Sequence, residues 1–158
     1  MQSMNEVQFI RRIVAVLRIT LGIILLRQGD FAGAESAFRA ELEHRPRDLR
    51  TRYNLAKVLE VQEQNDDAIE ELRRVLDADP SNADARYLLG KIHLATGNTE
   101  AALAQLEAAA ALAPEDPNIF NQLGLANQKA GRPDEARAHF ERFRQLKSRR
   151  PLPEDSGS

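Results

Sequence analysis

The sequence repeats itself with a period of 34 residues, and this period restricts the possible folds more than any other feature. When the chain is aligned with itself at that offset, a small residue follows a leucine in every unit, an alanine recurs, and a phenylalanine or leucine follows that alanine by four residues. A proline recurs between units. The columns are Gly22, Ala56, Gly90 and Gly124; Ala34, Ala68, Ala102 and Ala136; Phe38, Leu72, Leu106 and Phe140; and Pro46, Pro80 and Pro114. So many coincident columns indicate a structural repeat.

Each unit is predicted to contain two α-helices, because apolar residues recur at helical spacing on both sides of a break. Three of the breaks are glycines (Gly29, Gly97 and Gly131), which tolerate the left-handed backbone that ends many helices. In the second unit the break reads "EQND" at residues 63–66, and Asn65 is expected to take the same role. Abundant alanine and leucine with few aromatic residues also favour helices over strands.

Prolines and N-cap residues predict where the helices begin. Prolines separate the units, since a proline cannot continue the preceding helix. Two residues after each proline stands a residue that can accept a hydrogen bond from the first turn of the next helix. The predicted N-caps are Asp48, Asn82 and Asp116.

With these columns the chain resembles the tetratricopeptide repeat family, whose period and Leu-Gly, Ala-x-x-x-Phe and Pro pattern it follows. The resemblance implies an all-α fold, a right-handed α-solenoid of four antiparallel helix pairs in which the first helix of each pair lines a concave face. The tryptophan position of the family pattern holds Arg18, Arg52, Arg86 and Phe120 instead. The predicted organisation is a helical extension (1–14), four repeats (15–48, 49–82, 83–116 and 117–150) and a disordered tail (151–158).

Aromatic and cationic side chains recur on the predicted concave stripe of the first helices. Tyr53 and Lys57 in the second repeat are matched by Tyr87 and Lys91 in the third. Stacking of the repeats is expected to place tyrosine beside tyrosine and lysine beside lysine, which suits an extended peptide that carries a carboxylate. The alternative interpretation is a tyrosine that is ordinary for the family, next to solvated lysines. The predicted groove residues are Tyr53, Asn54, Lys57, Tyr87, Lys91, Asn121 and Lys129.

The first predicted helix is apolar on both sides. A helix of this kind is normally buried on both sides, so its concave stripe is predicted to be an apolar anchor or an oligomer interface. The candidate covers are a second copy of the chain, a partner's helix, the segment 1–12 folding back, a membrane, or the rest of a longer protein. The predicted anchor consists of Val16, Ile19, Ile23 and Leu26, and the opposite face, assigned to the repeat core, of Leu17, Leu21, Ile24 and Leu25.

Ser3 and Glu6 have the spacing of a capping box, which predicts a helix that begins near Met4 and runs unbroken to Arg27. In that case the amino-terminal segment extends the first helix and cannot fold over it, so self-association or a partner helix is preferred. The apolar run at residues 13–26 is too short to span a bilayer. We therefore expect no transmembrane segment, and we do not favour a signal peptide.

No constellation of residues predicts catalysis or a cofactor. His44, His93 and His139 fall in different repeats without partners at ligand spacing, so no metal site is predicted. The chain lacks cysteine, a phosphate-binding loop and a catalytic triad pattern. Its formal net charge of −2 gives no overall attraction to nucleic acid, and the basic residues near the carboxy terminus are interpreted as a solvated helix end.

The leading hypothesis is a non-enzymatic protein–protein interaction module that binds a peptide or helical segment of a partner in its concave groove. The alternative is an assembly or scaffold protein that forms a homo-oligomer through its apolar amino-terminal helix. In the last repeat, Arg137 and Arg144 replace apolar residues of the middle repeats, as expected of a terminal capping unit. A cytoplasmic location is favoured over a periplasmic one.

Overall fold

The computed structural model describes residues 2–149, and these form α-helices joined by short connections, without a β-strand. The predicted all-α class is confirmed, whereas the predicted disordered tail (151–158) lies outside the described residues. The helices are α1 (Gln2–Gln28), α2 (Phe31–His44), α3 (Leu49–Val61), α4 (Asn65–Ala78), α5 (Ala83–Ala95), α6 (Thr99–Leu112), α7 (Pro117–Lys129) and α8 (Pro133–Arg149).

The chain divides into two compact units, Met1–Pro80 and Ser81–Ser158. In the first unit α1 packs against α2, α3 packs against α4, and α2 also packs against α3. The second unit repeats this arrangement, with α5 against α6, α7 against α8, and α6 against α7. Consecutive helices therefore form hairpins, as the helix-pair prediction requires. The four-repeat boundaries stay a prediction, although α3, α5 and α7 begin where the last three repeats were predicted to begin.

The small-residue column is where the two helices of a hairpin approach each other. A Cβ atom added to Gly22 would lie 2.6 Å from the Phe38 ring, and one added to Gly124 would lie 2.5 Å from the Phe140 ring. Both distances are far shorter than a van der Waals contact between carbon atoms. The glycines of α1 and α7 are therefore required by the large side chains that recur in α2 and α8.

The three predicted N-caps are confirmed. The Asp48 side chain accepts hydrogen bonds from the backbone N–H groups of Arg50 and Thr51, at 3.1 and 3.2 Å. Asn82 accepts one from Ala85 N at 3.0 Å, and Asp116 accepts one from Asn118 N at 2.9 Å. Each acceptor satisfies N–H groups that the first turn of a helix leaves without an intrahelical partner.

The left-handed residues that end the first helices correct one prediction. Gly29, Gly97 and Gly131 have φ values of 81°, 83° and 71°, as expected for helix-ending glycines. In the second repeat, however, the left-handed residue is Glu63, with a φ of 61°, and Asn65 is the first residue of α4. The prediction for Asn65 was wrong because chemical preference was given more weight than the 34-residue register, which places Glu63 in the glycine column.

Helix α1 is longer than any other first helix and begins earlier than predicted. It runs unbroken from Gln2 to Gln28, so Ser3 lies inside it and is not its N-cap. The face of α1 that was assigned to the repeat core is largely exposed, at Leu17, Leu21 and Ile24. Despite its length, neither α1 nor any other described helix has the apolar run that crossing a bilayer requires.

Candidate functional site

The predicted groove residues of the first unit lie on α3. Lys57 is exposed and Tyr53 is half-buried, and the Lys57 ammonium lies 5.8 Å from the centroid of the Tyr53 ring. This distance is within the range of a cation–π interaction. Asn54 follows Tyr53 on the same helix and is also half-buried. The structure therefore pairs an aromatic face with a positive charge on one turn of α3.

In the second unit the predicted residues Tyr87 and Lys91 lie on α5, but their surroundings differ. Tyr87 packs against an apolar cluster that includes Leu106 and Leu123, so part of its ring belongs to the core. Lys91 lies on the wall of a cleft between α5 and α7. Whether the tyrosines of α3 and α5 lie side by side concerns both units, and that expectation stays a prediction.

The cleft between α5 and α7 has a volume of about 460 Å³ and brings together residues from different repeats. Two predicted groove residues, Lys91 and Lys129, are part of it, whereas Asn121 lies on α7 outside the lining. The other lining residues were not among the predicted groove residues. The lining consists of Lys91, Leu94, Ala95, Gln122, Leu125, Gln128 and Lys129.

Lys129 is held in place by the end of α5. Its Nζ donates a hydrogen bond to the backbone oxygen of Leu94 at 3.1 Å, 35 residues away in sequence. The carboxyl end of a helix carries a partial negative charge, which favours an ammonium at this position. An ammonium has three N–H donors, so this contact positions the side chain and leaves donors for a ligand.

The predicted anchor residues on α1 are not equally exposed. Val16 is 62% exposed, whereas Ile19, Ile23 and Leu26 are partly buried. The anchor is therefore less open than its sequence pattern indicated. More apolar surface is exposed on the neighbouring face of α1, which contains Leu17 and Leu21.

Arginines in the tryptophan position link the two helices of a hairpin. Arg52 Nη1 lies 2.6 Å from Glu71 Oε2, and Arg86 Nη1 donates to Gln105 Oε1 at 3.0 Å. Both pairs join a first helix to the second helix of the same repeat, at a sequence distance of 19 residues. These arginines therefore have a structural role that the departure from the family pattern did not reveal.

Glu41 is a buried carboxylate that sequence reasoning missed. It is 1% exposed, and neither side-chain oxygen has a hydrogen-bond partner among the described residues. The nearest cations are Arg45, with Nη1 at 3.8 Å, and Arg18, with Nη1 at 3.9 Å. The 34-residue register would have identified this position, because the equivalent residues of the next two repeats are the buried Val75 and Ala109.

An aromatic contact joins α7 and α8. The rings of Phe120 and His139 have centroids 6.2 Å apart, and the Arg142 guanidinium lies 5.7 Å from the Phe120 centroid. Burial lowers the pKa of His139 below its ordinary value of 6.5, and the nearby carboxylates of Glu107 and Glu135 offset part of this effect. Among residues 2–149, no group of three potential ligands is close enough to hold a metal ion.

Comparison with known proteins decides the family. Models of the tetratricopeptide repeat match residues 19–83, 53–117 and 122–146, which together cover more than half of the chain. The chain belongs to the tetratricopeptide repeat family. The resemblance stated from the 34-residue columns is thereby confirmed. No curated protein matches the chain significantly.

Solved structures of MamA have the same fold. The MamA structure from Desulfovibrio magneticus RS-1 is 27% identical and has a TM-score of 0.80, with 87% of this chain and 78% of that chain covered. Two further crystal structures of MamA are 27% and 29% identical, with TM-scores of 0.77 and 0.75. They cover 85% and 81% of this chain, and 74% and 75% of their own.

The family and its fold give the general role of this tetratricopeptide repeat protein. Stacked helical repeats present extended surfaces to other macromolecules, and in this family the partners are proteins. The chain is therefore a protein–protein interaction or scaffold module, which is the general part of the functional hypothesis.

Proposed function

We propose that this chain binds an extended segment of a partner protein on the inner faces of its first helices. The observation that carries the proposal is the cleft between α5 and α7, where Lys91 and Lys129 border the apolar side chains of Leu94 and Leu125. The proposal involves no catalytic residue and no cofactor. It extends the general role of the family to a particular surface of this chain.

The composition of the cleft indicates the kind of peptide that it fits. Leu125 is 38% exposed and offers an apolar contact, while the Lys129 ammonium retains donors after bonding to Leu94 O. A carboxylate that meets these donors forms charge-assisted hydrogen bonds, which are stronger than neutral ones. The expected ligand therefore presents an acidic side chain or a terminal carboxylate next to an apolar residue.

The first unit has a proposed binding surface of its own. On α3 the Lys57 ammonium lies against the Tyr53 ring, and Asn54 adds an amide that can hydrogen-bond a peptide backbone. On α1 the apolar anchor is proposed to contact a hydrophobic side chain of a partner. In the second unit, Tyr87 and Asn121 complete the proposed set beside the cleft. The anchor consists of Val16, Ile19, Ile23 and Leu26.

The test uses a random peptide library displayed on phage. Leu125→Asp should weaken binding of the selected peptides by about tenfold or more, because it places a carboxylate where the ligand is expected to have one. Leu112→Asp is the matched control: Leu112 is 44% exposed, lies on α6 of the same unit, and is not part of the cleft. Titration calorimetry would give the dissociation constants. Equal loss in both variants, or none in Leu125→Asp, would contradict the proposal.

Alanine variants of the two tyrosines are expected to differ in their effect on stability. Tyr53→Ala should weaken binding and lower the unfolding midpoint less than Tyr87→Ala, because the half-buried Tyr53 ring is not packed against the apolar cluster of the second unit. Tyr87→Ala is expected to lower stability, since the ring packs against the apolar cluster of the second unit. A loss of binding in Tyr87→Ala therefore cannot be assigned to the groove alone.

A second candidate function is assembly through α1, and one observation favours it. Exposed apolar side chains continue along this helix from Val7 to Ile24, on a chain whose other helices bury most of theirs. Burial of such surface is the main driving force of association between proteins. According to this second hypothesis the chain is a scaffold that self-associates. The solution mass of the purified protein, measured by light scattering, distinguishes such a scaffold from a monomeric adaptor.

A further inference from the structure

One face of α1 is bare although the same face is covered in the other repeats. Leu17, Leu21 and Ile24 are 62%, 50% and 46% exposed, whereas every residue at the equivalent positions of the later repeats is at most 4% exposed. In the first unit α2 covers this face of α3, and in the second unit α6 covers it on α7. The equivalent residues are Thr51, Leu55 and Val58; Ala85, Leu89 and Ile92; and Ile119, Leu123 and Ala126.

This bare face continues towards the amino terminus and forms one stripe. Ile10 and Ile13 are 58% and 44% exposed, and together with the three residues above they are spaced by three, four, four and three positions. Such spacing keeps the side chains on one side of a helix over about four turns. We call these five residues, Ile10, Ile13, Leu17, Leu21 and Ile24, the α1 stripe.

We propose that the α1 stripe pairs with the α1 stripe of a second copy of this chain, as an antiparallel helix pair centred on Leu17. The proposal rests on the second candidate function and specifies its interface. In this arrangement Ile10 lies opposite Ile24 of the other copy, Ile13 lies opposite Leu21, and Leu17 lies opposite itself. Every layer of the contact is then apolar, as in the core of a helix pair.

The other end of the chain argues for a symmetric contact between copies and against head-to-tail stacking. A helix that covers α1 in the manner of a preceding repeat needs the apolar face that α6 turns towards α7. At the equivalent positions α8 has Arg137, Arg144 and Lys147, where α6 and its C-cap have Leu103, Ala110 and Ala113. Burial of these cations against an apolar stripe would be unfavourable. A closed two-fold pair therefore fits better than an open filament.

The charges at the two ends of the stripe set the direction of pairing. Glu6 lies one helical turn before Ile10, and Arg27 lies one turn after Ile24; both are exposed. Antiparallel pairing brings Glu6 of one copy close to Arg27 of the other, at both ends of the contact. Parallel pairing would place like charges together instead, which is destabilising in a helix pair.

The first test is the solution mass with a matched pair of variants. Light scattering should give twice the chain mass of 17.7 kDa for the wild type. Leu17→Glu should raise the dissociation constant of the dimer by about tenfold or more. Val16→Glu should leave it nearly unchanged, because Val16 is equally exposed, at 62%, but lies off the stripe. Circular dichroism of both variants checks that α1 stays folded.

The second test uses the absence of cysteine from the sequence, so that any introduced thiol is unique. Leu17→Cys should form a disulfide-linked dimer on mild oxidation, because residue 17 faces itself. Ile10→Cys and Ile24→Cys should not crosslink alone, since the two copies of either position lie about 21 Å apart at a rise of 1.5 Å per residue. A mixture of these two variants should crosslink.

The outcomes distinguish pairing through the α1 stripe from self-association through another part of α1. Dimers that Val16→Glu breaks and Leu17→Glu spares would place the contact on the predicted anchor, retaining self-association but overturning the stripe. Self-crosslinking of all three single-cysteine variants would overturn the antiparallel direction. A wild-type protein that is monomeric at high micromolar concentration would overturn both the pairing and the second candidate function.

Discussion

At the scale of single residues, the 34-residue register identifies a position where the backbone is strained. Within the described part of the chain, Glu63 is the one residue other than glycine with a positive φ, and it stands where the other repeats have a glycine. A left-handed backbone is unfavourable for a residue with a Cβ atom. The first helix of the second repeat therefore ends with the same backbone geometry as in the other repeats. This geometry costs free energy at Glu63, which the glycines of the other repeats avoid.

Replacement of this residue should stabilise the protein. Glu63→Gly is expected to raise the free energy of unfolding by about 0.5–1 kcal/mol, because the relief of backbone strain exceeds the entropy lost by the more flexible glycine. Urea unfolding monitored by circular dichroism measures this change. Gly97→Ala is the reverse control: no atom lies within 4 Å of the added Cβ, so its expected destabilisation reports the backbone alone. A destabilised Glu63→Gly variant would contradict the assignment.

At the scale of elements, the packing of α8 against α7 lowers the pKa of a histidine. His139 lies against Phe120 of α7, and burial holds its pKa below 6.5. The neutral ring is therefore favoured in the folded chain, while the unfolded chain binds a proton more readily at the same pH. Stability from this contact is present above the ordinary pKa and is lost as the pH falls through the lowered value.

The pH dependence of unfolding tests this reasoning. The free energy of unfolding should decrease as the pH is lowered from 7 through the window just below 6.5, because the unfolded state takes up more protons there. His139→Gln should flatten that part of the profile. His44→Gln, which replaces an exposed histidine on α2, is the control and should change the profile less than His139→Gln. An unchanged slope in His139→Gln would show that another group is responsible.

At the scale of the whole molecule, the two proposed surfaces belong to different units and use different chemistry. The α1 stripe is apolar and lies in the first unit, whereas the α5–α7 cleft adds lysines and lies in the second. Binding sites without shared residues are expected to behave additively when substituted. If both proposals hold, the chain combines self-association with capture of a partner, as a scaffold requires.

Exchange of the variants between the two assays measures this independence. Leu17→Glu should become monomeric and still bind the selected peptides with a dissociation constant close to that of the wild type. Leu125→Asp should lose the peptides and keep the mass of the dimer. Peptide binding that disappears together with dimerisation would instead mean that the second copy contributes to the peptide site.

The sequence by itself determined the parts of this protein that depend on local chemistry and register. The 34-residue columns predicted the helix pairs, and the residues that follow the prolines predicted the caps at Asp48 and Asn82. These features could be predicted because each depends on neighbours a fixed number of residues away. The same register also points to Glu63 as the left-handed residue of the second repeat. The prediction failed there because the preference of asparagine for this backbone was given more weight.

Tertiary structure decided which faces are covered and which side chains meet. The pattern of α1 assigned Leu17 to the core, yet this residue is exposed, because burial depends on a covering helix and not on the apolar residue itself. The contact between Lys129 and Leu94 spans 35 residues, and the cleft around it recruits Gln122 from α7. Periodicity tells which residues share one helix face; only the packing of helices tells what that face touches, since burial is a property of two surfaces at once.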